Sequence, residues 1–161
     1  MNMTRNIRFK RLSGDVESIA LFSQLNSLFA EAFDETDTYL GHQPADEYLL
    51  SLLSKDHVIA CVALVDGRVA GGLVAYVLDK FEQQRSEIYI YDLAVDSQHR
   101  RKRIATELIR FLKREAAELG AWVVFVQADP IDTAAVKLYE SLGVREDVIH
   151  FDFKLESDAD Q

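Results

Sequence analysis

The stretch Tyr91-Asp92-Leu93-Ala94-Val95-Asp96-Ser97-Gln98-His99-Arg100-Arg101-Lys102-Arg103-Ile104-Ala105-Thr106 changes character twice. Its first residues finish a strand-like run that begins at Ser86, with Glu87, Tyr89 and Tyr91 on one face and Ile88 and Ile90 on the other. A polar, strongly basic segment follows. From Ile104 the period changes to that of a helix, with Leu108, Ile109, Leu112 and Ala116 at core spacing and Gly120 placed to end it after Leu119. The next apolar run, Trp122–Gln127, is continuous, which predicts a strand covered on both faces. Strand, helix and strand over 86–127 make a crossover unit, so part of the sheet is parallel.

Working outward, the runs His57–Val65 and Arg68–Leu78 meet at Asp66-Gly67, a hairpin signal because a type I′ turn needs positive φ at both centres. Ile7 to Leu12 alternates like a strand. Asp15 is placed to cap a helix through Phe33, on which Val16, Ile19, Phe22, Leu25, Phe29 and Phe33 recur at helical spacing. Asp34-Glu35-Thr36-Asp37 breaks that pattern and begins an acidic loop, and Pro44 suits the first position of a short helix carrying Tyr48, Leu49, Leu52 and Leu53. Toward the C-terminus, Asp132 is placed to cap a helix through Leu142, with Gly143 as terminator. Val148–Leu155 then alternates, with Ile149, Phe151, Phe153 and Leu155 on one face and His150 and Asp152 on the other. The sequence therefore predicts an α/β fold with a mixed sheet flanked by helices. It predicts one domain over 1–155 and a frayed tail over 156–161.

Composition narrows the chemistry. The 161 residues suit one domain, and no apolar run approaches the ~18 residues of a membrane helix. No apolar signal-peptide core follows Met1–Arg5. The single cysteine, Cys61, lies inside an apolar run, reads as core, and excludes an internal disulfide or a cysteine-based metal site. It fits a reducing cytoplasm, the expected location. Eighteen Lys and Arg against 27 Asp and Glu leave a net charge of −9. That charge opposes duplex DNA and favours cationic partners, and no aromatic residues interleave with the one basic run. The exception is local, because His99-Arg100-Arg101-Lys102-Arg103 concentrates four of the basic residues at a predicted helix start. Unpaired N–H groups at such a start bind phosphate, the helix dipole acts in the same direction, and arginines add charge-assisted bonds.

At these residues the sequence resembles the GNAT superfamily of acetyl-CoA-dependent N-acetyltransferases. Its motif [Gln/Arg]-x-x-Gly-x-[Gly/Ala] maps onto Arg100-Arg101-Lys102-Arg103-Ile104-Ala105. Its second motif, Asn-x-x-Ala-x-x-Leu-Tyr-x-x-x-Gly-[Phe/Val], maps onto Asp132 through Val144, with Ala135, Tyr139 and Gly143 in register. Phe81–Val95, Val126–Asp129, His150-Phe151-Asp152 and His42-Gln43-Pro44 look like the type I aminoglycoside 3-N-acetyltransferases, the gentamicin-resistance enzymes.

The resemblance implies acetyl transfer from acetyl-CoA to the 3-amino group of a deoxystreptamine ring, with no metal, and direct attack by the bound amine. It implies that Leu93, Ala94 and Val95 receive the thioester and pantetheine arm. It likewise assigns the pyrophosphate to Arg100, Arg101, Lys102, Arg103, Ile104, Ala105 and Thr106, with Asp132 and Ala135 on the second motif. Tyr139 matches the tyrosine that faces the coenzyme sulfur and is the expected acid. Glu87 is the expected base, being the only carboxylate on the strand face of Tyr89 and Tyr91, with Asp129 and His150 as rivals. An acceptor carrying several ammonium groups calls for several carboxylates, with candidates in Asp34, Glu35, Asp37, Asp129, Asp132, Glu146 and Asp152, and Tyr39 placed to stack on a sugar ring.

Two positions depart from the motifs. Asp132 replaces the asparagine but keeps a helix cap. Arg103 replaces a glycine, and the expectation is that a helical, negative φ at this position tolerates it. Transfer to another polyamine or to a protein amine is the related alternative. A non-catalytic acyl-CoA sensor is the alternative from another class. The sequence leaves the oligomeric state open, a homodimer included.

Overall fold

The computed structural model describes residues 6–155, so the predicted tail over 156–161 lies outside the described residues. The chain divides into two compact units, Met1–Gln127 and Ala128–Gln161.

The first unit is built on a five-stranded sheet whose spatial order follows the chain: β1 (Ile7–Arg11), β2 (Val58–Val65), β3 (Arg68–Asp79), β4 (Ser86–Val95) and β5 (Ala121–Val126). The first four strands are antiparallel and β5 joins β4 in parallel, the mixed α/β sheet that the sequence predicts. At the hairpin between β2 and β3, Asp66 and Gly67 have φ of 51° and 81°, as a type I′ turn requires. Helices α1 (Val16–Phe33), α2 (Thr36–Leu40) and α3 (Asp46–Leu53) lie between β1 and β2, and α4 (Ile104–Glu118) connects β4 to β5.

Two adjacent glycines show how the layers are arranged. A Cβ on Gly71 would meet Ile104 of α4, whereas one on Gly72 would meet Leu25 of α1. Neighbouring strand residues point to opposite faces, so α1 and α4 cover opposite faces of the sheet. Leu25, Phe29, Val62, Leu64 and Val74 form the core on the α1 face, with α3 contributing Leu49 and Leu53. On the α4 face Leu73, Ile88, Ile90, Ile104, Leu108 and Leu112 are almost fully buried.

Several boundaries differ from the sequence reading. The acidic segment predicted as a loop is partly helical, because α2 begins at Thr36. Pro44 is not at the first position of a helix but precedes Ala45, the N-cap residue of α3. The strand expected to be covered on both faces is exposed at Trp122 (66%) and Val123 (40%).

The second unit contains α5 (Thr133–Glu140). The Asp132 carboxylate accepts from the Ala135 N–H at 3.0 Å, and the Gly143 N–H closes the far end onto the Tyr139 carbonyl at 2.9 Å. Val148–Leu155, predicted as a strand, has no regular secondary structure here. Alternation specifies which side chains share a face, but a strand also needs an edge to receive its hydrogen bonds.

Candidate functional site

The candidate site is built on the second half of β4. Val74 pairs with Asp92 but Ala75 pairs with Ile90, so Tyr91 is an extra residue in β4, a bulge. The ladder to β5 ends at Ile90–Val126, while β4 continues to Val95. From Tyr91 to Val95 the β5-side edge of β4 thus carries N–H and C=O groups that the sheet does not use. These include the backbone of Leu93, Ala94 and Val95.

Beyond Val95 the chain turns sharply. The Asp96 N–H is held by the Ala70 carbonyl at 3.0 Å, the Asp96 carboxylate accepts from the Gln98 N–H at 2.7 Å, and the Lys102 ammonium donates to the Gln98 carbonyl at 2.8 Å. Arg101 and Arg103 both adopt left-handed conformations, with φ of 60° and 62°. The expected negative φ at Arg103 is therefore incorrect. Arg100 is extended, and the chain must reverse within three residues to enter α4. That reversal is what a glycine at this position makes inexpensive. Arg103 starts α4 without any side-chain cap, so the amides of its first turn have no side-chain acceptor. Those amides and the basic side chains of 100–103 concentrate N–H donors and positive charge next to the free edge of β4, the chemistry that suits an anion.

The α1 face of the same strands carries an aromatic surface. The Tyr89 and Phe125 rings stack with centroids 4.9 Å apart, and Tyr91 meets Tyr89 and Tyr76 edge-on at 5.8 Å. The Tyr89 hydroxyl donates to the Gln127 side-chain oxygen at 3.1 Å. Beside this surface the Tyr39 hydroxyl donates to Asp92 Oδ2 at 2.9 Å. Burial raises the Asp92 carboxyl above the ordinary aspartate range; the Tyr39 hydrogen bond opposes the rise and nearby Glu35 adds to it. The Tyr39 phenol is raised as well, first by burial and then by bonding to Asp92.

Asp92 escaped the sequence reading. Strict alternation sets it on the face opposite Tyr89 and Tyr91, and the bulge at Tyr91 reverses that parity. Its position directly after two strand tyrosines was the only available signal.

The other expected residues fall into separate groups. Glu87 lies opposite Leu78 near the β3–β4 turn, with the Lys80 ammonium 3.5 Å from its carboxylate. Asp34 is the left-handed residue that ends α1, and Asp37 lies in the first turn of α2. Tyr39, Tyr89, Tyr91 and Asp92 form one surface, with Glu35 near enough to affect two of their ionisations.

In the second unit the Asp129 carboxylate accepts from the Ile131 N–H at 3.1 Å, so it is engaged in a turn. His150 Nε2 and Asp152 Oδ1 are 3.0 Å apart, and Glu146 is exposed. Asp132, Ala135 and Tyr139 share α5 and its cap; burial, with Asp132 adding to it, pushes the Tyr139 phenol up to about 12. That phenol stays protonated at neutral pH and is available as a donor. Among the described residues no cluster of three or more His, Cys, Asp or Glu is arranged to hold a metal, and no helix is long and apolar enough to cross a membrane.

Residues 22–144 match the acetyltransferase (GNAT) family. An aminoglycoside acetyltransferase, HMB0005, from an uncultured soil metagenomic sample is 49% identical and superposes with a TM-score of 0.91 over 94% of this chain and 99% of that one. A second from the same kind of source, meta-AAC0020, solved with sisomicin, is 33% identical with a TM-score of 0.85 over 93% of this chain and 97% of that one. Human N-acetyltransferase 8 is 28% identical over 130 residues, covering 81% of this chain and 57% of its own length. The chain spans about half the length of the curated relatives it matches.

Proposed function

Since the chain belongs to the acetyltransferase (GNAT) family, we propose that it transfers an acetyl group from acetyl-CoA to the 3-amino group of a deoxystreptamine aminoglycoside, the modification that disarms the antibiotic in the cytoplasm. The observation that carries this reading is the half-buried Asp92 carboxylate, set among Tyr39, Tyr89 and Tyr91 next to the unpaired edge of β4. Two relatives that are aminoglycoside acetyltransferases, one with sisomicin bound, support the acceptor class.

The residues suit both substrates. Pantetheine is an extended chain with two amides, and the free edge from Tyr91 to Val95 offers the backbone partners with which it can add as a strand. The residues from Arg100 to Thr106 then face the pyrophosphate, with N–H groups and cations in place. On the α1 face, tyrosine rings present flat apolar surfaces to sugar rings, while Asp92 and Glu35, with Asp34 and Asp37 close in sequence, attract ammonium groups.

Acyl transfer forms an N–C bond as the C–S bond breaks. The acceptor must arrive as an ammonium and attack as an amine, and Asp92, made more basic by burial, accepts that proton directly or through water. Glu87, paired with Lys80, is a weaker candidate for this role than its position on the strand implies. Backbone N–H groups at the bulge polarise the carbonyl, and Tyr139 supplies a proton to the departing thiolate.

The regiochemistry is tested by incubating the protein with acetyl-CoA and an aminoglycoside such as gentamicin or sisomicin and locating the new acetyl group by NMR. Acetylation at N3 is expected. Acetylation at the 6′ nitrogen, or only of non-sugar polyamines, would overturn the assignment while leaving the acyltransferase reading intact.

A further inference from the structure

Tyr39 reads in the sequence as a ring placed to stack on a sugar, yet in the fold its ring and its hydroxyl both have partners within the chain. It lies in α2, a helix of five residues whose start has no side-chain cap. What fixes α2 comes from α1. Asp34 ends α1 in a left-handed conformation with its N–H on the Ala30 and Glu31 carbonyls, and the Glu35 N–H donates to the Ala30 carbonyl at 3.0 Å. The Tyr39 ring packs against Phe29 and Phe33 of α1, with centroids 5.7 and 5.9 Å away. Phe29 is almost fully buried, so the ring is seated on the close-packed core. From there the Tyr39 hydroxyl reaches Asp92 Oδ2, and among the described residues this carboxylate makes no other hydrogen bond.

We infer that Tyr39 is a positioning residue: seated on Phe29 and Phe33, its hydroxyl fixes the Asp92 carboxylate through Oδ2 and leaves Oδ1 to take the proton of the acceptor ammonium. The inference rests on the reading of Asp92 as proton acceptor given above. A carboxylate turns easily about its last torsion, so a fixed donor on one oxygen removes an orientation cost from each turnover. The same bond favours the ionised carboxylate, whereas burial and Glu35 both favour the protonated one. The groups around Asp92 are Glu35 and Tyr39 from α2 and its cap, Tyr76 from β3, and Tyr89 and Tyr91 from β4, with Tyr48 of α3 beside Tyr76. From α1 come only the rings of Phe29 and Phe33. Tyrosines are neutral from acid to neutral pH, which leaves Glu35 as the one other neighbour that titrates there.

Tyr39→Phe keeps the ring and removes the hydroxyl. In a carbon-13 NMR titration of the full chain, its Asp92 carboxyl is expected to titrate about one pH unit higher than in the parent, a tenfold gain in proton affinity. The acid limb of kcat/KM for gentamicin should move up by the same amount. At the plateau kcat should fall about tenfold with the acceptor KM nearly unchanged, the reverse of losing a sugar-stacking contact. Phe33→Leu keeps the hydroxyl but loosens its seat, and should shift the titration in the same direction by less; it carries the test should Tyr39→Phe lose the native circular dichroism spectrum. An Asp92 titration that stays in place overturns the inference, as does a Tyr39→Phe enzyme whose only defect is a higher acceptor KM. The two levels fail separately: Asp92→Asn inactive with Tyr39→Phe silent overturns the inference alone, whereas full turnover of Asp92→Asn overturns the reading beneath it.

Discussion

Arg103 shows how much one dihedral angle constrains a site. It occupies a glycine position of the family motif and has φ of 62°, a conformation that costs an L-residue about 1–2 kcal/mol. The side chain returns a positive charge at the start of α4, where an anion is expected to bind. These effects separate in two variants. Arg103→Ala keeps the strain and loses the charge, whereas Arg103→Gly loses both, so the glycine variant should exceed the alanine variant in stability by about 1 kcal/mol in urea unfolding. Equal stabilities would show that the left-handed turn imposes no strain.

Asp92 gives the second prediction at this scale. Because burial raises its carboxyl, the folded state holds the proton more tightly than the unfolded state does. The stability it contributes is therefore complete below the ordinary aspartate range and is lost as pH rises through the raised value. Asp92→Asn should thus gain thermal stability relative to the parent at pH 7 more than at pH 3.5, while turnover falls about 100-fold. Unchanged turnover would remove the carboxylate from the chemistry.

At the level of elements, the contact of α1 with β3 depends on a missing side chain. A Cβ on Gly72 would sit 2.5 Å from Leu25 Cδ1 and 2.8 Å from the Cys61 carbonyl oxygen, and the latter is backbone of the neighbouring strand. Gly72→Ala should therefore cost about 1–3 kcal/mol, read as a lower urea midpoint with an unchanged slope. Caps and turns were legible in the sequence because they depend on neighbouring residues: Asp15, Asp132 and the Asp66-Gly67 turn all do locally what their residue types favour. The bulge at Tyr91 was not legible, since it is a property of two paired strands, and with it went Asp92, the carboxylate to which the proposed function gives the proton. The left-handed Arg103 was missed because a helix start alone does not require it; the reversal from Arg100 does. Val148–Leu155 was expected to be a strand for a related reason, as periodicity identifies a face but does not supply the edge a strand needs.

Across the whole molecule, a net charge of −9 coexists with a basic segment at residues 99–103. On the proposed function, this divides the labour between a general field that would attract a polycation and a local field that would hold an anion. The most direct test of the account is thiol release from acetyl-CoA by the purified protein in the presence of gentamicin, followed as ionic strength is raised. The account predicts turnover that requires both substrates, with kcat/KM falling as salt screens the attraction between the acidic protein and the cationic acceptor. Absence of thiol release at saturating acetyl-CoA and gentamicin, at any ionic strength, would contradict it.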